Sequence, residues 1–234
     1  MLEIKNLNYI IKDQNQEKKI LQNIDLAFNN NKIYVITGQN GSGKSTLLKI
    51  IMGIIHQSQG DVFYDGKNIS NLNIYERSKL GISFAFQQPV TFKGIKVKDL
   101  LNIASEEKLN LAGMCEILSK VGLCAKNYID REINDKLSGG ELKRIELATV
   151  LARKAKINMF DEPEAGIDLW SFENLTTLFK DMDNSINIIV SHQRKILEIA
   201  DEIIVMKDGE ILLKGEKDDV LPMLSNSSCG RLRG

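Results

Sequence analysis

The run Gly38-Gln39-Asn40-Gly41-Ser42-Gly43-Lys44-Ser45-Thr46 constrains this chain more than any other feature. It satisfies the spacing G-x-x-x-x-G-K-[ST] directly after the apolar stretch Ile33-Tyr34-Val35-Ile36. That spacing requires a strand, a tight loop and a helix, in that order. Glycines allow backbone N–H groups to turn inward onto phosphate oxygens, Lys44 can reach the β- and γ-phosphates, and the Ser45 hydroxyl can ligate Mg²⁺. The next residues, Leu47-Leu48-Lys49-Ile50-Ile51-Met52, read as a helix whose positive N-terminal end points at the bound anion. An ordinary flexible turn would not explain the Lys-Ser pair in this context. Gly38, Asn40, Gly41, Ser42, Gly43, Lys44, Ser45 and Thr46 are therefore the expected nucleotide-binding positions.

Composition narrows the partners. A chain of 234 residues with 43% hydrophobic content can bury a sizeable core as one large or two small domains. Lys plus Arg equals Asp plus Glu at 31 each, so the summed field gives no reason to expect nucleic acid or an acidic membrane surface as a partner. No apolar run approaches the ~18 residues that a spanning helix needs, and Met1-Leu2-Glu3-Ile4-Lys5 lacks the apolar core of a signal peptide. A cytoplasmic location without direct membrane insertion is the expectation. Cys115, Cys124 and Cys229 are odd in number and widely spaced, which argues against both a disulfide framework and a self-contained zinc site.

Along the chain, Leu2–Leu7 and Ile24–Phe28 alternate apolar and polar residues as half-buried strands do, which implies an antiparallel β-layer. Asp65-Gly66 and Asp208-Gly209 each favour a tight hairpin, and both are expected to support that layer. Three short apolar runs, Ile33–Thr37, Ile157–Phe160 and Asn187–Ser191, read as parallel strands buried on both faces. Between about Phe86 and Lys136 the pattern shifts to short amphipathic helices, at Leu100–Ala104 and Met114–Val121. No internal repeat is present. The expected division is an α/β core with its antiparallel β layer over 1–85 and 137–224, an inserted helical subdomain over 86–136, and a small, polar, frayed tail over 225–234.

A second glycine-rich turn, Leu137-Ser138-Gly139-Gly140-Glu141, leads into a helical sequence. Alone it is equally an anion cradle or a capping box, since Ser-x-x-Glu is the pattern of the latter. The order in the chain decides for nucleotide chemistry, because Ile157-Asn158-Met159-Phe160-Asp161-Glu162 comes next, an apolar strand ending in two carboxylates. Asp161 can hold Mg²⁺ through water, and Glu162 can act as general base on the attacking water of ATP. His192 ends the next apolar strand, where its imidazole can meet a γ-phosphate or a neighbouring carboxylate. His56, the other histidine, sits in a surface-like loop without a catalytic context. Gln87 lies where the core meets the helical insert, within reach of both metal and attacking water, and Pro89 fixes the geometry of a hinge there.

In order, Gly38–Thr46, Gln87, Leu137–Glu141, Asp161 with Glu162, Asp168 and His192 resemble the complete motif set of an ABC-type ATPase: Walker A, Q-loop, signature, Walker B, D-loop and switch histidine. The resemblance covers essentially the whole chain. It implies the P-loop NTPase fold of ABC ATPases, with an antiparallel β subdomain and an inserted helical subdomain, and Mg-dependent ATP hydrolysis. It also implies a nucleotide-dependent homodimer paired head to tail. Ser138, Gly139 and Gly140 of one copy would then complete the phosphate shell over Lys44 of the other, with Asp168 at the seam. The only Trp, Trp170, belongs to core or dimer packing on this reading. The runs Ala85-Phe86-Gln87-Gln88-Pro89-Val90, Leu137–Glu146 and Ser191-His192-Gln193-Arg194 look like SufC-type ATPases of iron–sulfur cluster assembly. The implied partner is a SufB-like scaffold, in a compact SufB2C2-type complex. The ATP-binding subunit of an ABC membrane transporter is the alternative, while the tandem cassettes or coiled-coil insertions of nucleic-acid-linked members are not seen. One departure concerns adenine, because the position that usually stacks on the base falls near Ile11, with Tyr9 off register.

Overall fold

Residues 1–13, 16–105, 107–134, 136–166, 169–182 and 184–227 are described by a computed structural model. Strand β1 (Leu2–Asp13) pairs antiparallel with β2 (Gln16–Phe28) and, on its other edge, with β4 (Gln59–Tyr64). The short β5 (Lys67–Asn68) completes a four-stranded antiparallel layer in the order β2-β1-β4-β5. Asp65 and Gly66, at φ +48° and +77°, make the tight turn between β4 and β5 that the Asp-Gly pair predicts.

The second sheet has six strands in the order β10-β9-β3-β8-β7-β6. Strands β3 (Lys32–Gly38), β6 (Ile82–Ala85), β7 (Ile157–Asp161), β8 (Ile186–Val190) and β9 (Glu202–Lys207) run parallel, and β10 (Glu210–Glu216) returns antiparallel on the edge. One expectation is corrected here. The Asp208-Gly209 hairpin belongs to this central sheet and not to the antiparallel layer, because β9 pairs with β3 along most of its length. The hairpin signal specifies a local turn, and which sheet receives it is decided by long-range pairing.

The parallel strands are apolar throughout because successive residues face opposite layers, both of them covered. Val35, Phe160, Ile189 and Ile203 pack into one cluster with Leu101, Leu118 and Leu147. Their neighbours Tyr34, Ile36, Met159, Ile188 and Val190 pack into the other, with Leu47, Leu48 and Ile51 and with Leu2 and Ile4 of β1. The first cluster is built on α3 (Val97–Ala104), α4 (Leu111–Lys120), α6 (Gly139–Arg153) and α7 (Leu169–Lys180), and the second on α1 (Lys44–Met52).

The remaining helices are α2 (Ile74–Lys79), α5 (Ala125–Tyr128), α8 (Arg194–Leu197) and α9 (Lys217–Ser227). Residues 225–227, placed in a frayed tail by their composition, form the end of α9. The rest of that tail, 228–234 with Cys229, lies outside the described residues, and Cys115 and Cys124 are exposed thiols. From Phe92 onward the segment before α3 is laced to 129–133: Phe92 N–H donates to Ile133 O at 2.8 Å, and Val97 N–H to Arg131 O at 3.0 Å.

Helix α6 begins with a capping box. Ser138 Oγ accepts the Glu141 N–H at 3.3 Å, and Glu141 Oε2 accepts the Ser138 N–H at 2.7 Å. Glu141 Oε1 also accepts the Tyr128 hydroxyl at 2.6 Å and faces Arg131 at 3.2 Å. The Tyr128 bond first, then those of Ser138, lower the Glu141 carboxyl to about 2. Because the folded value lies below the ordinary one, the contribution to stability is complete above the unfolded carboxyl range and disappears as pH falls through about 2. Glu141→Ala should cost about 1 kcal/mol at neutral pH. Thermal melts of both proteins at falling pH should show the gap closing, and a gap independent of pH would disprove the assignment.

Candidate active site

The phosphate loop joins β3 to α1 at the C-terminal end of the parallel strands, the end at which open α/β sheets place ligands. Two glycines are required by close approach. A Cβ on Gly38, at φ +134°, would lie 1.9 Å from the Met206 carbonyl oxygen of β9. One on Gly43, at φ +96°, would lie 2.6 Å from Leu21 Cδ2 and 2.9 Å from Ile20 O. Gly43 is the N-cap of α1 and offers no side-chain oxygen, so the helix meets the loop without a side-chain cap on its first N–H groups.

Three features show that these residues suit a nucleotide with its metal. Ser42 Oγ is buried within the loop and makes no hydrogen bond there, an orphan polar atom of the kind a phosphate oxygen satisfies. Lys44 is buried, with Nζ donating to Gly38 O and Gln39 O, each at 2.8 Å, and burial lowers its pKa. Third, Ser45 Oγ donates to Asp161 Oδ1 at 2.9 Å, so two of the three expected Mg²⁺ groups already face one another. Asp161 is almost fully buried at the end of β7, and burial raises its carboxyl pKa, the direction that a cation opposes. Among the described residues no three His, Cys, Asp or Glu side chains cluster as a metal cage. Mg²⁺ binds through one or two protein oxygens, water and substrate phosphates, and Ser45 and Asp161 supply such oxygens here.

Beside Asp161, Glu162 adopts φ +46°, a left-handed conformation uncommon for a residue with a Cβ, and precedes Pro163. Its N–H donates to Val190 O at 3.0 Å, which fastens the turn to the end of β8. The carboxylate collects two other sequence-predicted residues. Gln87 Nε2 donates to Glu162 Oε2 at 2.8 Å, and His192 Nε2 lies 3.8 Å from Oε1. Burial first, and then Lys44, lower the His192 pKa, which keeps the imidazole neutral near pH 7.

Thus Lys44, Ser45, Gln87, Asp161, Glu162 and His192 converge on one end of the sheet. Ser138 and Gly139, by contrast, are exposed at the start of α6, where Ser138 bonds to its own capping partner Glu141. Asp168 lies outside the described residues, and Trp170 is in the first turn of α7. On β1, Ile11 is exposed opposite Lys18, whereas the partly buried Tyr9 pairs with Leu21, the residue that touches Gly43. Cross-strand partners share a face, so Tyr9 is on the phosphate-loop side.

Sequence reasoning missed what holds Gln87. Both backbone polar groups of the preceding Phe86 bond to side chains of α6: its N–H donates to Glu146 Oε1 at 2.7 Å, and its carbonyl accepts from Lys143 Nζ. Lys143 is fully buried and also bonds Glu146 Oε2 at 3.1 Å. The available signal was the i,i+3 pairing of Lys143 with Glu146 between Leu142, Ile145 and Leu147, in a helix that is apolar on more than one side.

The family model described as ABC transporter matches residues 21–165. An uncharacterized ABC transporter ATP-binding protein of Methanocaldococcus jannaschii is 36% identical over 87% of this chain and 85% of its own length. The iron-sulfur cluster assembly protein SufC of Plasmodium falciparum is also 36% identical, over 92% of this chain and 67% of that protein. A probable ATP-dependent transporter of Synechocystis is 32% identical over 95% and 92%. Among solved structures, a dimeric ATP-binding cassette in a post-hydrolysis state, bound to ADP and Pi, superposes with a TM-score of 0.83 at 24% identity, covering 93% of this chain and 99% of that one. Motif order, site geometry and these relatives agree: the chain belongs to the ABC transporter family and is an ABC-type ATPase that binds ATP with Mg²⁺ and hydrolyses it.

Proposed function

We propose that this ATPase is a SufC-type motor of the cytoplasm, which uses ATP to drive a shape change in a SufB-like scaffold of iron–sulfur cluster assembly. The observation that carries the reading is the path from Glu162 to the surface. Gln87, bonded to that carboxylate, lies in a segment that exposes Phe86, Val90 and Phe92. These three line an apolar groove of about 150 Å³ with Leu100, Ile133 and Ile145. A scaffold seated there would feel the state of the nucleotide through one side chain. The likeness to an iron-sulfur cluster assembly protein over 92% of the chain supports the kind of partner.

Within the site we assign Lys44 and the loop Gly38–Thr46 to the phosphates, with Ser45, Gln87 and Asp161 around Mg²⁺. Glu162 takes the proton of the attacking water, and His192 contacts the γ-phosphate. The metal, when bound, offsets charge on the phosphates. Ser138, Gly139, Gly140 and Asp168 act in trans, closing the site of a second copy in a head-to-tail homodimer, with 86–136 as the helical subdomain that leads into the signature turn at 137–141. Tyr9 is the aromatic on the side of the base.

Lys44→Ala should weaken ATP binding by about tenfold or more, since it removes a charge-assisted contact. Equilibrium dialysis with labelled ATP checks this, and near-normal affinity contradicts the loop assignment. Affinity purification from native cells, followed by iron and sulfide assays of the companion, tests the partner. A soluble scaffold carrying cluster is expected. An integral membrane companion would instead establish the second reading, a transporter's ATP-binding subunit, which the names of the archaeal and cyanobacterial relatives favour.

A further inference from the structure

One partly buried carboxyl near the site has no part in the assignments above. Glu164 lies two residues beyond Glu162, and its Oε1 accepts the Ser191 hydroxyl at 2.5 Å. Ser191 is fully buried at the end of β8, immediately before His192, and its Oγ accepts the N–H of Gln193 at 3.0 Å. One hydroxyl therefore grips the backbone after the histidine while being gripped by the turn that succeeds the catalytic strand. The other carboxyl oxygen, Oε2, is buried with no hydrogen-bond partner among the described residues, an arrangement that is costly wherever a smaller apolar side chain would serve.

The same turn reaches further. Ala165 N–H donates to Glu162 O at 3.0 Å, and Gly166 O packs so closely on Gly140 that a Cβ there would lie 2.8 Å away. A continuous set of contacts thus runs from the Gln193 N–H, next to His192, through Ser191 and Glu164 to the glycine turn that opens α6. We propose that Glu164 is a positioning residue for His192: through Ser191 it holds the imidazole at its place beside Glu162 and ties that place to the turn abutting Gly140. This rests on reading His192 as the γ-phosphate contact. Glutamine is its conservative replacement, because the amide oxygen can still accept the Ser191 hydroxyl.

The test is steady-state ATPase kinetics of Glu164→Ala, Glu164→Gln, Ser191→Ala, the Glu164→Ala/Ser191→Ala double variant and His192→Ala, with melting temperatures. Misplacing the imidazole should lower kcat about tenfold or more in Glu164→Ala and Ser191→Ala, with KM for ATP within about threefold. Glu164→Gln should recover most of the loss, and the double variant should be no slower than either single one. A Glu164→Ala protein that keeps wild-type kcat overturns the proposal, as do additive losses or a folded Glu164→Gln protein as slow as Glu164→Ala. Should Glu164→Ala fail to fold, Ser191→Ala decides alone, and an unchanged kcat overturns the proposal. His192→Ala separates the two levels: if it turns over normally the reading of His192 fails, whereas if it is slow and Glu164→Ala is not, only the present inference fails.

Discussion

Glu162→Gln should bind ATP with near wild-type affinity and turn it over about 10²–10⁴-fold more slowly. The amide preserves the shape of the carboxylate and can still accept the Gln87 hydrogen bond at its one remaining carbonyl oxygen, but it cannot take a proton from water. The backbone supports the substitution equally, since glutamine meets the same strain at φ +46° and the bond to Val190 uses only the main chain. Loss confined to kcat is the signature of an interaction used in the transition state. Rapid-quench turnover and nucleotide affinity, measured on the same preparation, separate the two quantities. Unchanged turnover would remove Glu162 from its role, and a parallel loss of affinity would mean that the carboxylate serves binding instead.

The second large effect concerns stability, at a residue far from any reacting atom. Arg77 is fully buried on α2 and no salt bridge to it is seen among the described residues. Its guanidinium donates instead to four carbonyls: Leu72 at 3.0 Å, Ile50 at 2.7 Å, Ile51 at 2.8 Å and Ser70 at 2.8 Å. Ile50 and Ile51 are in the last turn of α1, where carbonyls run short of helix donors and Ile50 O has the Gly53 N–H at 3.0 Å, so a cation there adds the missing donors and complements the helix dipole. Burial brings the Arg77 pKa down to about 10, and the group stays charged at neutral pH. Arg77→Ala removes the side-chain donor from the Leu72, Ile51 and Ser70 carbonyls, leaves Ile50 O with the Gly53 N–H alone, and opens a cavity, at a cost of about 3–5 kcal/mol. Against a typical total of about 5–15 kcal/mol, such a change leaves the fold marginal. Urea denaturation measures it, and a loss below about 1 kcal/mol would show that the carbonyls find other partners.

The range of each interaction governs how much of it the chain discloses in advance. The phosphate loop, the strands around it and the Asp65-Gly66 turn are set by neighbours a few residues away, and the structure places each where its pattern indicates. Asp161, Glu162 and His192 could be placed at one end of the sheet because each closes an apolar strand, whereas Gln87 was read only from its position between the core and the helical insert. Pairings across long separations were not legible. The placement of β9 against β3, the edge strand β6, and the seat of Arg77 beneath α1 depend on contacts that no local period encodes. The same holds for the buried Lys143–Glu146 pair that clamps Phe86, and for the Ser191–Glu164 bond. A polar residue inside an apolar stretch signals only that it needs a partner.

On the function proposed above, turnover requires a nucleotide held between two copies of the chain, with Ser138, which is exposed, as the half that each copy supplies to the other. The most direct measurement is ATP turnover per chain across a dilution series, with sedimentation reporting the assembly state at each concentration. Turnover per chain that rises with concentration and levels off as pairs form is the predicted result. Constant turnover down to concentrations at which only single copies sediment would contradict it.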